Sequence, residues 1–434
     1  MAVVRVAPVP ALRGTVRVPS DKSMTHRALL LSALSDREVR IERPLDSADT
    51  GATLHTVEAC GAPAEGHLGA ALLIGGLGLR GLRPPPAIDC ANAGTLMRLA
   101  AGILAGQSAQ HVVLDGDDSL RGRPMTRIAR PLRAMGAAVF TAPGGTPPIV
   151  VSGGTPLRGT EHRLEVASAQ VKSCLLLAGL FAEGETWVHE PSPSRDHTER
   201  MLEAAGVTVL REGDAVGVRG PVASIALPDL EVPGDFSSAA PHLVAGALLG
   251  DPEVRLPGVN LNPRRTGLLS VMRRMGVDVR EEPEPPVAGE PAGTLVVSRC
   301  DALSATEVGP EEVPSMIDEL PLVGLLGALA RGTTIVRGAT ELRVKESDRI
   351  ASVVAALTAM GVRVTAREDG FEVHGTGRLP GGDMDALGDH RLAMLGAVAG
   401  LASVDGVGVR GFEAVGVSYP GFARDLAELG AVAA

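Results

Sequence analysis

Leu357-Thr358-Ala359-Met360-Gly361-Val362-Arg363-Val364-Thr365 reads as a helix end, a turn and a strand start. The glycine suits the position just past a helix C-terminus, where positive φ is easy only without a Cβ. Beyond it, apolar and polar residues alternate with the period of a strand. The same text recurs at 57–62, 132–137, 202–207, 272–277 and 426–431. The glycines (Gly61, Gly136, Gly206, Gly276, Gly361 and Gly430) are 75, 70, 70, 85 and 69 residues apart. That period is longer than a solenoid repeat, so each unit should be a small α/β module.

A second helix stands in every module, apolar nearly all round, at 28–34, 96–104, 175–181, 243–249, 320–330 and 392–401. Helices without a polar stripe belong among other elements, away from water. Their N-terminal ends are polar, at 20–23, 92–95, 167–170, 235–238, 315–318 and 388–391. Taken singly, Asn, Asp and Ser there are N-caps. Six together, several with a cation in the first two turns, suggest helix N-termini converging on anions. Two junctions echo each other, Arg17-Val18-Pro19-Ser20-Asp21 and Glu231-Val232-Pro233-Gly234-Asp235. They divide the chain into an N-lobe, 20–232, and a C-lobe, 1–19 plus 233–434, with three repeats each and hinges near 19–20 and 232–234. The segment 281–293, rich in Pro and Glu, reads as an exposed hairpin loop.

At 434 residues, two or three domains are expected. The formal charge of −10 argues against nucleic acid or an anionic membrane as partner. Charge-free runs such as 320–330 and 392–404 are too short to span a bilayer. Residues 1–5 lack a signal-peptide pattern. Cys60, Cys90, Cys174 and Cys300 show no CxxC spacing and read as reduced thiols of a cytoplasmic protein. No HExxH, Cys/His or nucleotide-loop spacing is present, so neither metal nor cofactor is expected.

Of 41 Lys+Arg, only Lys22, Lys172 and Lys345 are lysines. Lysine kept against that bias suggests positions needing a compact ammonium that can release a proton. Lys345 lies in Glu341-Leu342-Arg343-Val344-Lys345-Glu346-Ser347-Asp348-Arg349, a charge run that would ordinarily be a solvated face. Lys22, Ser23 and Arg27 can share one anion at the start of the first apolar helix. Asn92-Ala93-Gly94-Thr95 with Arg98 is similar, and Gly94 would admit close backbone approach. Asp318-Glu319 opens another apolar helix, as a cap or as a base beside a basic cluster.

In chain order, Asp21-Lys22-Ser23…Arg27, Asn92-Ala93-Gly94-Thr95…Arg98, Arg123-Pro124, Ser168-Ala169-Gln170, Asp318, Arg343–Arg349, Asp389-His390-Arg391 and Tyr419-Pro420 resemble the enolpyruvyl transferases, on the branch that takes shikimate 3-phosphate. The resemblance implies an α/β fold, a two-lobed inside-out barrel of six βαβαββ repeats with helices inside and sheets outside. It places the active site between the lobes. It also implies transfer of the enolpyruvyl group of phosphoenolpyruvate to the 5-hydroxyl of shikimate 3-phosphate through a tetrahedral intermediate, releasing phosphate. No metal or cofactor takes part, and a cytoplasmic monomer acting on these two small molecules is expected.

By the same resemblance, Lys22, Ser23, Arg27, Ser168, Ala169, Gln170, Arg195, Asp318 and Lys345 would hold shikimate 3-phosphate. Lys22, Gly94, Arg123, Gln170, Arg349 and Arg391 would hold phosphoenolpyruvate. Asp318 would be the base toward the 5-hydroxyl, with Glu346 and Lys22 carrying protons at the enol methylene and departing phosphate. Val417 stands where some members have lysine. Gly94 leaves room for glyphosate, the competitor of phosphoenolpyruvate.

Lys22, Arg27, Arg123, Lys345, Arg349, Arg391 and Arg195, set against Asp318 and Glu346 alone, leave roughly four or five positive charges. Such a cluster would repel itself without anions, so lobes open when empty and closed on substrate are expected. The sister transferase acting on UDP-N-acetylglucosamine usually has Lys-Asn at the first motif and a cysteine before the Arg-Pro. Ser23 and the cysteine-free stretch 115–123 argue against it. A non-catalytic anion-binding scaffold would be expected to lack Asp318, Glu346 or Lys22.

Overall fold

The structure, a computed structural model, describes residues 3–108 and 111–431. All six glycines of the repeated text have positive φ, from +84° at Gly361 to +106° at Gly430. Each follows a helix: Ala48–Ala59, Thr126–Ala134, His197–Ala204, Gly267–Arg274, Arg349–Ala359 and Phe422–Glu428. At every copy the glycine N–H and the next N–H turn back onto the helix. In one copy, Gly361 donates to the Thr358 carbonyl at 3.0 Å and Val362 to that of Leu357 at 3.0 Å. This pair of bonds satisfies carbonyls that the last helical turn leaves open. The repeated text is therefore a helix-stop signal with a defined hydrogen-bond pattern.

The chain forms two compact units. One comprises 20–232 with 286–290, the other 1–19, 233–285 and 291–434. In the first, the apolar helices are Lys22–Leu34, Gly94–Ala105 and Ala169–Gly179, buried on nearly every face. Their side chains join one continuous core with sheet residues such as Val39, Ile41, Leu114 and Val188. In the second, Phe236–Leu249, Leu320–Leu329 and His390–Ala402 play the same part.

Among the described residues, five sheets have four strands in one common order. An example is Ala87–Asp89, His111–Asp115, Ile149–Ser152, Ala138–Thr141, in which Ala87 pairs parallel with Val113 while His111 and Ala138 both pair antiparallel with Ser152. Among the described residues the sixth sheet has three strands, Gly382–Asp385, Val407–Arg410 and Val3–Val6. There the chain's own first strand lies antiparallel to Val407–Arg410. The six sheets are separate and open, not strands of one closed barrel. Sequence-distant strands also complete two others: Leu230–Glu231 beside Val39–Glu42, and Leu12–Thr15 beside Gly250–Asn260.

The segment 281–293 forms a hairpin, as expected, and its first strand is largely exposed, but its far side is not. Its strands are Val279–Val287 and Glu290–Val297, and Glu290 is fully buried, with its Oε1 2.7 Å from His197 Nδ1. A carboxylate survives there because an imidazole partner accompanies it.

Candidate active site

The polar helix starts divide into caps and non-caps. Asp21, Ser168, Asp235 and Asp389 each cap their helix by accepting a backbone N–H of the following turn. Asn92 and Asp318 do not cap theirs. The Gly94–Ala105 helix has no side-chain cap, and the Asn92 amide instead donates to Asp117 at 2.8 Å and accepts from Arg123 Nη2 at 2.8 Å. The Leu320–Leu329 helix starts after Glu319 without a side-chain cap, and the Asp318 carboxylate instead meets cations.

In the 20–232 unit, two groups form. Arg27 is buried and donates Nε to Thr198 Oγ1 at 2.7 Å, Nη2 to Ser173 Oγ at 2.8 Å and Nη1 to the Ser23 carbonyl at 2.9 Å. Burial pushes its guanidinium down to about 10, against the pull of Glu199 and Asp21 and with a push from Arg195. Lys22 is tied to Asp49 at 2.9 Å. In the second group, a Cβ on Gly94 would lie 2.8 Å from Arg98 Nη1 and 3.2 Å from Arg123 Nη1. Arg98 Nη1 reaches Gln170 Oε1 at 2.5 Å, and Gln170 Nε2 donates to Thr95 Oγ1 at 2.8 Å. Gly94, Arg123 and Gln170 are thus brought together. Ser168 and Ala169 begin the Ala169–Gly179 helix, half-buried.

The other unit gathers Asp318, Lys345, Glu346, Arg349 and Arg391. Arg349 is 1% exposed and donates to Asp318 at 3.0 Å, Glu346 at 2.6 Å and Asp389 at 2.8 Å. Burial opposes its charge, but the carboxylates of Asp318, Glu346 and Asp389 outweigh it and hold the guanidinium above its ordinary range. For Glu346, burial pushes upward and Arg349 pulls downward. Arg349 wins, and the carboxyl titrates below its usual value. Lys345 Nζ lies 3.7 Å from Asp318 Oδ1. Arg391 donates to the Ser237 carbonyl at 3.0 Å and lies 3.8 Å from Glu319. Arg343 and Asp348 shape the segment: Arg343 binds Asp348 at 2.7 Å and two main-chain carbonyls, and Asp348 caps the Arg349–Ala359 helix.

Sequence reasoning missed the counter-charges. Asp49, Asp389 and Glu319 pair with Lys22, Arg349 and Arg391, and the buried Arg265 adds contacts to Asp235 at 3.1 Å and Asp318 at 3.6 Å. These carboxylates reduce the expected excess of positive charge, while the buried Arg98 and Arg265 add to it. A capping signal read from the text cannot reveal this, since Asp389 caps its helix and binds Arg349 with the same carboxylate. Arg98, noted only as a neighbour of Gly94, is the residue that orients Gln170. Val417 is exposed, and Tyr419 is structural, its hydroxyl donating to Asp425 at 2.6 Å. Among the described residues no cluster of three or more His, Cys, Asp or Glu could hold a metal, and no helix is long and apolar enough to cross a membrane.

The family model described as EPSP synthase (3-phosphoshikimate 1-carboxyvinyltransferase) matches residues 6–426. A 3-phosphoshikimate 1-carboxyvinyltransferase of Thermus thermophilus is 47% identical over 98% of both chains. One of Halorhodospira halophila is 46% identical over 98% of this chain and 96% of its own. The solved EPSP synthase of Acinetobacter baumannii superposes with a TM-score of 0.92 at 39% identity, covering 99% of this chain and 98% of that one. With one family model matching residues 6–426 and relatives at 46–47% identity over nearly the whole chain, the chain belongs to the EPSP synthase family.

Proposed function

We propose that this protein transfers the enolpyruvyl group of phosphoenolpyruvate to the 5-hydroxyl of shikimate 3-phosphate and releases phosphate, as a step of the shikimate pathway. The observation that carries the reading is the Asp318 carboxylate, which is not the cap of its helix and is flanked by Lys345 and Arg349. A base there needs cations to bring an anionic acceptor to it.

In the addition step, Asp318 takes the 5-hydroxyl proton as the oxygen bonds to C2 of phosphoenolpyruvate, and Lys22 protonates C3. The tetrahedral intermediate then loses phosphate as the bond from C2 to the phosphate oxygen breaks and that oxygen takes up a proton. A C3 proton leaves to Glu346, and exchange with solvent returns Lys22, Asp318 and Glu346 to their starting states. Glu346 suits acceptance because Arg349 keeps it ionised. Ser23, Arg27, Ser168, Ala169, Gln170, Arg195 and Lys345 hold shikimate 3-phosphate in this reading. Gly94, Arg123, Gln170, Arg349 and Arg391 hold phosphoenolpyruvate, with Lys22 and Gln170 serving both. Substrate anions then displace Asp49, Glu319 and Asp389 from their cations, and the lobes close as they do so. Exchange of partners replaces relief of repulsion as the reason for closure. Scattering curves identical with and without both ligands would count against it.

The same reading takes the sheets as six copies of one βαβαββ unit, three per lobe, with the last copy cut short. It also has the protein work as a cytoplasmic monomer without metal, cofactor, nucleic acid or membrane. The deciding experiment is phosphate release from phosphoenolpyruvate with each acceptor in turn. Release with UDP-N-acetylglucosamine but not with shikimate 3-phosphate would overturn the assignment.

A further inference from the structure

Lys172 was kept as lysine against the arginine bias, yet it faces no solvent. Its side chain is 4% exposed, and its ammonium meets Glu190 Oε2 at 2.7 Å, Glu199 Oε1 at 2.8 Å and the Ser194 carbonyl at 3.3 Å. Three N–H donors thus meet three acceptors. Glu190, 5% exposed, uses its two oxygens on two separate segments: Oε1 accepts Ser168 N–H at 3.0 Å and Oε2 accepts Ser194 N–H at 3.3 Å. One carboxylate therefore ties the residue that caps the Ala169–Gly179 helix to the residue before Arg195. Glu199, on the other side of the ammonium, neighbours Thr198, which accepts from Arg27.

We propose that Lys172 and Glu190 are positioning residues for shikimate 3-phosphate, setting the Ser168 turn and the Ser194–Arg195 segment at the spacing that the acceptor requires. The proposal rests on the assignment of Ser168 and Arg195 to that substrate. A buried carboxylate pair without its cation would repel, and Glu190 would release one or both main-chain N–H groups. In Glu190→Gln, one oxygen becomes an NH2 facing donors, so at least one of the two segments loses its anchor. Gln170 is held independently by Arg98 and Thr95, so the phosphoenolpyruvate side should keep its geometry.

The test is steady-state phosphate release by Lys172→Met and Glu190→Gln, with each substrate varied in turn. The wild-type enzyme run beside them reports separately on the assigned reaction. The expected result is a KM for shikimate 3-phosphate raised about tenfold, with KM for phosphoenolpyruvate within about twofold and kcat within about threefold. Equal rises in both KM values, or unchanged KM with only a lower Tm, would overturn the proposal. Failure of Lys172→Met to fold leaves the decision to the near-isosteric Glu190→Gln. Failure of both would make the cluster a folding element and overturn it as well.

Discussion

Arg349 donates to Asp318 at 3.0 Å, so the cation assigned to phosphoenolpyruvate and the carboxylate assigned as base neutralise each other within one unit. Neither could be buried so far alone. The pairing holds the carboxylate beside a cation, and a ligand anion on Arg349 would loosen it. Asp318→Asn keeps the volume and loses the base. We expect kcat for phosphate release to fall about a thousandfold at saturating substrates. A loss below about tenfold would remove Asp318 from that role.

Lys345→Arg keeps the charge but puts a wide planar fork where a compact ammonium stands 3.7 Å from Asp318. A guanidinium would engage that carboxylate with two N–H groups and hold it from the substrate. The expected result is kcat/KM for shikimate 3-phosphate lowered about a hundredfold. Near-normal turnover would refute the argument from lysine.

Gly94→Ala should fold, because the new methyl would press on the movable ends of Arg98 and Arg123. Those ends must shift, and Arg98 orients Gln170. KM for phosphoenolpyruvate should rise about tenfold, and KM for shikimate 3-phosphate, which shares Gln170, by less. Equal effects on both would show that the displaced guanidinium groups serve both substrates.

Gly206→Ala isolates the helix-stop signal, since φ is +89° and nothing lies within 4 Å of the added Cβ. The cost is left-handed backbone alone, about 1–2 kcal/mol in urea unfolding, and Gly206→Asn should lose less. Equal losses for the two would point to a cause other than backbone conformation.

His26 is buried against Thr53, and burial together with Lys22 pushes it down to about 3, with Asp49 opposing. The unfolded chain takes up this proton near pH 6.5, and the folded one only far lower. Its contribution is therefore fully present above that pH and is lost as pH falls toward 3. Between pH 7 and 5 the loss from this group is about 2 kcal/mol. His26→Gln should flatten the dependence of urea-unfolding stability on pH over that window. An unchanged slope would show that His26 is not its source.

The helix stops were legible because they are local. A glycine after a small apolar run can be read without neighbours, and every copy has the predicted positive φ. The apolar helices were legible for a related reason, since a helix without a polar stripe has only one stable place. The burial of Glu290, just after the hairpin's turn, was not, because Pro- and Glu-rich text describes composition, while Glu290 meets His197, 93 residues away in the chain. The sequence by itself determined the modules, the rare lysines and the motifs that mark the family. Only the tertiary structure decided which carboxylates face those cations, that Asp318 is not the cap of its helix and that Lys172 lies buried between Glu190 and Glu199. Ion pairs of this kind join residues far apart in the chain, and their strength depends on distance and burial, neither of which a linear pattern contains.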